Sequence, residues 1–153
     1  MTDLQIGDAA PAVSLPRDGG EMLDMATLDG PVVLYFYPRD DTPGCTKEAI
    51  GFTEHLDAFT KAGAHILGVS KDTVAKHEKF ISKHGLKIAL LSDADGDVCE
   101  RYGVWVQKQM YGKTYDGIER ATYLIKDGKI AQIWRKVKVP GHVDDVLDAV
   151  KAL

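Results

Sequence analysis

Residues 31–37, Pro-Val-Val-Leu-Tyr-Phe-Tyr, form an unbroken apolar run that Pro38 closes. A run of strand length with no polar alternation belongs to a strand covered on both faces, and such strands lie inside sheets with helices on either side. This feature commits the chain to a layered α/β architecture. Its 153 residues are enough to build that architecture around a core. No repeat, low-complexity stretch or linker divides it, so residues 1–153 are read as a single domain.

Periodicity supplies the remaining elements. Residues 13–15 suit a short strand, and residues 21–28 an irregular connector with a possible strand. A helix is expected over residues 43–62, with Ala49, Phe52, Leu56 and Phe59 on its apolar stripe and Gly63 ending it. Residues 64–70 read as a strand, 73–84 as a helix stopped by Gly85, 87–91 as a strand and 97–102 as a short helix. Residues 118–126 and 129–135 flank Asp127-Gly128 as a β-hairpin. A closing helix over 141–153 places Val143, Val146, Leu147 and Val150 on one face. Strand–helix alternation in the first half implies parallel pairing, and the hairpin adds antiparallel pairing. The expected fold is a mixed central β-sheet flanked by α-helices, the plan of the thioredoxin-like fold.

Nineteen Lys and Arg against 23 Asp and Glu leave a net charge of −4. That balance offers no electrostatic reason to bind nucleic acid or an anionic membrane. Residues 1–10 hold two aspartates and no basic residue, unlike a signal peptide, and the longest apolar run is too short to span a bilayer. A cytoplasmic location is expected. Two cysteines, Cys45 and Cys99, are too few for a disulfide framework or a four-ligand zinc site. His55, His65, His77, His84 and His142 form no metal-ligand spacing with either cysteine and are read as surface or helix-terminal residues. Asp93-Ala-Asp-Gly-Asp97 resembles the start of a calcium loop, but Val98 and Val104 stand where glycine and glutamate are needed, so it is read as an N-capping turn. Arg135 to Lys138 is read as a solvated strand end. Neither a metal nor a cofactor is expected.

The chemistry concentrates where the apolar run ends. After the polar turn 39–42, Thr42 is a favoured N-cap and Pro43 a favoured first helical residue. Cys45 then falls in the first helical turn, among backbone N–H groups without helical acceptors and at the positive end of the helix dipole. A thiolate is stabilised there, and its pKa is expected to fall from about 8.5 toward about 5–7, making it a nucleophile at neutral pH. Gly44 leaves room beside the sulfur for a small oxygen substrate to reach backbone donors. Arg120 is a candidate second cation for the thiolate and for charge developing on that substrate. Its alternative role is a salt bridge with Glu119 or another acid.

Pro38-x-x-x-Thr42-x-x-Cys45 resembles the active-site pattern of the peroxiredoxins. The longer stretch Phe36-Tyr-Pro-Arg-Asp-Asp-Thr-Pro-Gly-Cys-Thr-Lys-Glu-Ala49 is similar to the PrxQ branch, also called the bacterioferritin comigratory proteins. Gly68-Val-Ser-Lys-Asp72, Leu90-Leu-Ser-Asp93, Tyr102-Gly-Val-Trp105, Gly112-Lys-Thr-Tyr-Asp-Gly-Ile-Glu-Arg120 and the closing Gly141-His142 helix extend the resemblance over nearly the whole chain. It implies a thiol-dependent peroxidase that reduces hydrogen peroxide and organic hydroperoxides through a Cys45 sulfenic acid, without a cofactor. Cys45 resembles the peroxidatic cysteine, Thr42 the hydroxyl that bonds the sulfur and the incoming peroxide, Pro38 the residue shielding the pocket, and Arg120 the activating arginine. Glu48 resembles the residue that orients this arginine. Implied partners are a peroxide and a thiol reductant, which is thioredoxin, glutaredoxin or glutathione. A monomer is expected, with a dimer as the alternative.

The chain departs from that pattern at its resolving cysteine. Many PrxQ proteins carry one five residues after the first; here Ile50 stands there, about 100° around the helix from Ala49. Others carry it in the next helix, and residues 74–84 contain none. A one-cysteine cycle completed by an external thiol is therefore expected. Cys99 either packs behind Tyr102 and Trp105 or resolves Cys45 in an atypical two-cysteine cycle. Resolution would need Cα atoms within roughly 7 Å or local unfolding. A redox-regulated binding or holdase protein is an alternative reading. A thioredoxin-like disulfide reductase is disfavoured, because Glu48 stands where a Cys-x-x-Cys motif would place its second thiol.

Overall fold

The computed structural model describes residues 4–153. In chain order the elements are β1 (Ser14–Pro16), β2 (Met22–Asp24), a 3-10 turn (Met25–Thr27), β3 (Val32–Phe36), α1 (Pro43–Glu54), α2 (Leu56–Lys61), β4 (His65–Ser70), α3 (Val74–His84), β5 (Ala89–Ser92), α4 (Val98–Arg101), β6 (Trp105–Met110), β7 (Lys113–Ile118), β8 (Ala121–Lys126), β9 (Lys129–Trp134) and α5 (His142–Lys151). The central sheet has the order β5-β4-β3-β8-β9, while β1–β2 and β6–β7 are separate two-stranded ribbons. β3 runs parallel to β4 and β4 to β5, whereas β3–β8 and β8–β9 are antiparallel.

The apolar run of residues 31–37 contains the middle strand, and every residue of β3 is buried. Because side chains alternate along a strand, it feeds two cores. Val32, Leu34 and Phe36 pack with Val13, Leu67, Tyr102 and Tyr123 on one face of the sheet. Val33, Tyr35 and the following Tyr37 pack with Phe52, Phe59, Phe80 and Val146 on the other. The helices α1, α3 and α5 contribute their apolar stripes to this second core.

Three expectations are corrected. The helix expected over residues 43–62 is two helices that part at His55, where the backbone takes φ −97° and ψ 5°. The His55 ring donates from Nδ1 to the Gly51 carbonyl at 2.9 Å, an oxygen that also takes the His55 amide at 3.2 Å. The strand expected over residues 118–126 is broken at Glu119 and Arg120. Its first residue belongs to β7, part of the β6–β7 ribbon that periodicity did not reveal. That ribbon is polar on both faces, with Gln107, Lys108, Gln109, Lys113 and Thr114 among its residues, so it lacks the apolar alternation that marks a half-buried strand. His77 and His142 are buried rather than on the surface. The turn after β5 does cap α4, through Asp93, whose oxygens accept from the amides of Val98 (3.2 Å) and Cys99 (2.8 Å).

Candidate active site

Cys45 is the third residue of α1 and is 1 % exposed. Thr46 is the first residue whose amide reaches back to the Thr42 carbonyl, at 2.8 Å. The amides of Gly44 and Cys45 precede it and so have no helical acceptor. Thr42 occupies the N-cap position, but its hydroxyl donates to the Arg39 carbonyl at 3.0 Å instead of capping an α1 amide. That bond closes the turn in front of α1. No hydrogen bond joins Thr42 to the sulfur among the described residues.

Arg120 comes from the far side of β3. Ala121 pairs with Phe36 at the last register position of β3–β8, so Arg120 emerges beside the end of β3, where the chain turns into α1. The break between β7 and β8 is fixed by the Glu119 amide donating to Val104 (2.7 Å) and by the Arg120 carbonyl accepting from Val137 (3.0 Å). The guanidinium then divides its donors: Nη2 reaches Cys45 Sγ at 3.3 Å, and Nη1 donates to Glu48 Oε1 at 2.7 Å. Its acidic partner is thus Glu48, not the neighbouring Glu119. Glu48 lies one turn beyond Cys45 on α1, so a fork of donors can serve both.

Gly44 makes this approach possible. A Cβ at this position would stand 3.1 Å from Arg120 Nη2, so the room beside the sulfur that the sequence suggested for a substrate is occupied by the guanidinium. Glu48 is fully buried, and Oε2 has no hydrogen-bond partner. Burial raises its pKa from 4.5 to about 7, with the charge and hydrogen bond of Arg120 opposing the rise. Tyr35 Oη is the other orphaned buried atom among the described residues. Burial, and then the charge of Glu48, hold this phenol well above its ordinary pKa.

A second cluster, which sequence reasoning missed, holds the turn carrying Pro38 to Thr42. Asp40 accepts from Tyr37 Oη at 2.6 Å and from His77 Nδ1 at 2.6 Å, while its amide donates to Asp72 Oδ2 at 2.7 Å. His77 Nε2 faces the Leu91 carbonyl at 2.9 Å. Both ring nitrogens therefore face acceptors, an arrangement that the doubly protonated ring satisfies. Burial disfavours that imidazolium, but the hydrogen bond and charge of Asp40 outweigh it, with help from Leu91 and Asp72, and the pKa is raised. Asp40, Asp72 and His77 bring potential ligand atoms within 4.8 Å of one another. With both ring nitrogens donating, His77 offers no lone pair to a cation. Next to it, Asp41 has a left-handed backbone (φ 61°) and accepts from Lys83 (2.7 Å) and His84 (2.8 Å) of α3. The turn is thus strapped to α3. Asp40 lies inside the motif, but its partner His77 is distant in sequence, and nothing in the local pattern around His77 announces the contact.

Pro38 is exposed and, with Thr42, lines one side of a cleft of about 510 Å³ whose other wall is the β6–β7 ribbon, including Trp105, Lys108, Met110 and Tyr115. Cys99 lies elsewhere. It is 0 % exposed and belongs to the core on the opposite face of the sheet from Cys45, together with Tyr102 and against Trp105. Burial, then the charge of Asp93, push its thiol well above the ordinary range. Ile50 is partly buried against the Cys45 side of the sheet.

Among the described residues, no helix is long and apolar enough to cross a membrane. The AhpC/TSA family pattern matches residues 6–133. A putative peroxiredoxin Bcp of Coxiella burnetii is 53% identical over 146 residues, covering 94% of this chain and 97% of the relative. Peroxiredoxin Bcp of Escherichia coli is 44% identical over 153 residues, covering 99% and 98%. Among solved structures, a cysteine-to-serine mutant of Xylella fastidiosa PrxQ superposes with a TM-score of 0.92 at 37% identity, covering 99% of this chain and 98% of that one. The Xanthomonas campestris bacterioferritin comigratory protein, described with alkyl peroxide reduction activity, gives 0.88 at 44% identity, covering 97% and 96%. The sheet and its flanking helices are accordingly thioredoxin-like, and the chain belongs to the AhpC/TSA family, in its PrxQ (Bcp) branch, as a peroxiredoxin that reduces peroxides with thiols.

Proposed function

We propose that Cys45 is the peroxidatic nucleophile of this peroxidase and that it works in a one-cysteine cycle. The observation that carries the assignment is the Arg120 guanidinium, which contacts Cys45 Sγ while anchored on buried Glu48. The Cys45 thiolate attacks the terminal oxygen of ROOH, forming the S–O bond as the O–O bond breaks. Sulfur is oxidised to the sulfenic acid, and the leaving RO⁻ takes up a proton to become water or alcohol. Arg120 stabilises the thiolate and the charge that builds on the peroxide oxygens, as preorganised donors do. Glu48 positions Arg120, Gly44 leaves the guanidinium its place, Thr42 contributes its hydroxyl at the mouth of the site, and Pro38 shields the pocket.

An external thiolate then attacks the sulfenic sulfur, releasing water and leaving a mixed disulfide that a second thiol reduces. The external thiol is that of thioredoxin, glutaredoxin or glutathione. The position of Cys99 on the other face of the sheet supports an external donor, since a disulfide needs sulfurs brought side by side. The whole chain acts as one domain, as a monomer in the cytoplasm.

The test is single-turnover oxidation by hydrogen peroxide, followed by trapping of the sulfenic acid. Cys45→Ser should abolish it, and Arg120→Met should slow it by about 10²–10³-fold, the loss seen when one transition-state donor is removed. Full activity in Cys45→Ser would refute the assignment. An intramolecular Cys45–Cys99 disulfide after one equivalent of peroxide would refute the one-cysteine cycle.

A further inference from the structure

Lys108 lies on β6, directly opposite Tyr115 of β7. Its stem crosses the bare backbone of Gly117: a Cβ there would stand 3.3 Å from Lys108 Cδ and 3.6 Å from Cε. Glycine lets the lysine lie down along the ribbon, where it lines the same cleft as Pro38 and Thr42. The charges that act on it include Arg120 and Cys45. Lys108 therefore adds to the cleft beside Thr42 a cation that the family pattern did not single out.

This cation is unpaired. Among the described residues Lys108 makes no hydrogen bond and no ion pair, unlike Lys71 of the same cleft, which is held by Asp93 (3.2 Å), Glu100 (2.8 Å) and the Gly96 carbonyl (2.9 Å). Lys108 is half-buried, and burial followed by repulsion from Arg120 lowers its pKa against the opposing pull of Cys45 and Glu119. A partly desolvated ammonium beside a like charge is electrostatically unfavourable, and an anion entering the cleft would relieve that cost. The remaining walls include the apolar surfaces of Trp105, Met110 and Pro38 and the ring of Tyr115. Arg39, Asp72 and Asp116 also line the cleft, so its charge is mixed, but Lys108 without a partner beside these apolar surfaces suits a ligand with a carboxylate on a carbon body.

We infer that Lys108 binds the carboxylate of small molecules that enter the cleft over Thr42 to react at Cys45. The inference rests on Cys45 being the peroxidatic residue. Two reacting molecules use that route, the hydroperoxide and the thiol that reduces the sulfenic acid, and either can carry the carboxylate. Lys108 forms the ion pair while the O–OH or S–H end reaches the sulfur; its stem, resting on Gly117, sets where that end arrives.

Matched probes separate the two sources. A straight-chain hydroperoxy acid and its methyl ester are compared as oxidants of reduced Cys45, and glutathione and its diethyl ester as reductants of the preformed sulfenic acid. Each acid-to-ester rate ratio is taken in wild type, Lys108→Met and Lys108→Arg. A partly exposed ion pair predicts that Lys108→Met lowers the ratio about fivefold for the pair that uses the site, whereas Lys108→Arg retains it. A drop in the oxidant pair assigns the site to the hydroperoxide, and a drop in the thiol pair assigns it to the reductant. Unchanged ratios in both pairs would overturn the inference while leaving the peroxidase assignment intact, because hydrogen peroxide would still oxidise Cys45. Failure of hydrogen peroxide to oxidise Cys45 in the wild type would overturn both.

Discussion

Arg120 Nη1 lies 2.7 Å from Glu48 Oε1, while Oε2 of that carboxylate is buried without a donor. A carboxylate held by one oxygen only, in a fully buried place, keeps its proton longer than an ordinary glutamate. Its pKa, raised to about 7, puts the change of charge in the working range of a neutral-pH enzyme. Below that value the guanidinium is hydrogen-bonded to a neutral Glu48; above it the two form an ion pair, which draws its charge away from the sulfur side. Glu48→Gln should therefore remove an inflection near pH 7 from the pH profile of Cys45 oxidation.

The same group contributes to the pH dependence of stability. A carboxyl whose pKa is raised on folding contributes stability that is complete below 4.5 and is lost as the pH rises through about 7. Compared with Glu48→Gln, the wild type should lose on the order of 3 kcal/mol across that window in urea unfolding. A constant difference between the two proteins from pH 4 to pH 8 would contradict the assignment.

Gly44→Ala should separate stability from activity. Alanine is the better residue in a helix, which favours α1 by about 0.5 kcal/mol, a gain offset by whatever the displaced guanidinium loses against Glu48. The new Cβ meets Arg120 Nη2 at 3.1 Å and must push the guanidinium away from the sulfur. Misplacement on this scale should slow Cys45 oxidation about tenfold. Thermal unfolding and stopped-flow oxidation of the same preparation check both halves.

The pairing of His77 with Asp40 predicts a structural cost beyond the site. His77→Leu leaves Asp40 as a poorly compensated carboxylate and should destabilise the protein by about 3–5 kcal/mol. Since the His77 pKa is raised by folding, its contribution is fully present below about 6.5 and is lost as the pH rises through the higher folded value. The wild-type advantage over His77→Leu should shrink as the pH is raised, which urea titrations at several pH values would measure.

Cys99→Ala should cost about 1 kcal/mol for the small void left in the core and leave turnover with an external thiol unchanged. Mass spectrometry of the peroxide-treated wild type should find the sulfenic acid or a mixed disulfide on Cys45 and a free thiol at Cys99.

Local chemistry made much of this protein legible before any coordinates. The apolar run 31–37 contains β3, the middle strand; Thr42, Pro43 and Cys45 fall at the start of α1; and Gly63, Gly85 and Asp127-Gly128 mark turns where the chain does turn. These features depend on backbone sterics and burial acting over a few residues, which a sequence displays directly. What the tertiary structure alone decided depends on residues far apart in the chain. Arg120 meets Cys45 and Glu48 because β8 pairs antiparallel with β3. His77 meets Asp40 because α3 packs over the end of the same strand. Lys108 faces the cleft because a polar ribbon, invisible to a search for apolar alternation, folds over the site. The two cysteines lie in different cores because the helices that carry them, α1 and α4, cover opposite faces of the sheet, an arrangement set by how the crossovers pack and not by any local pattern around either thiol.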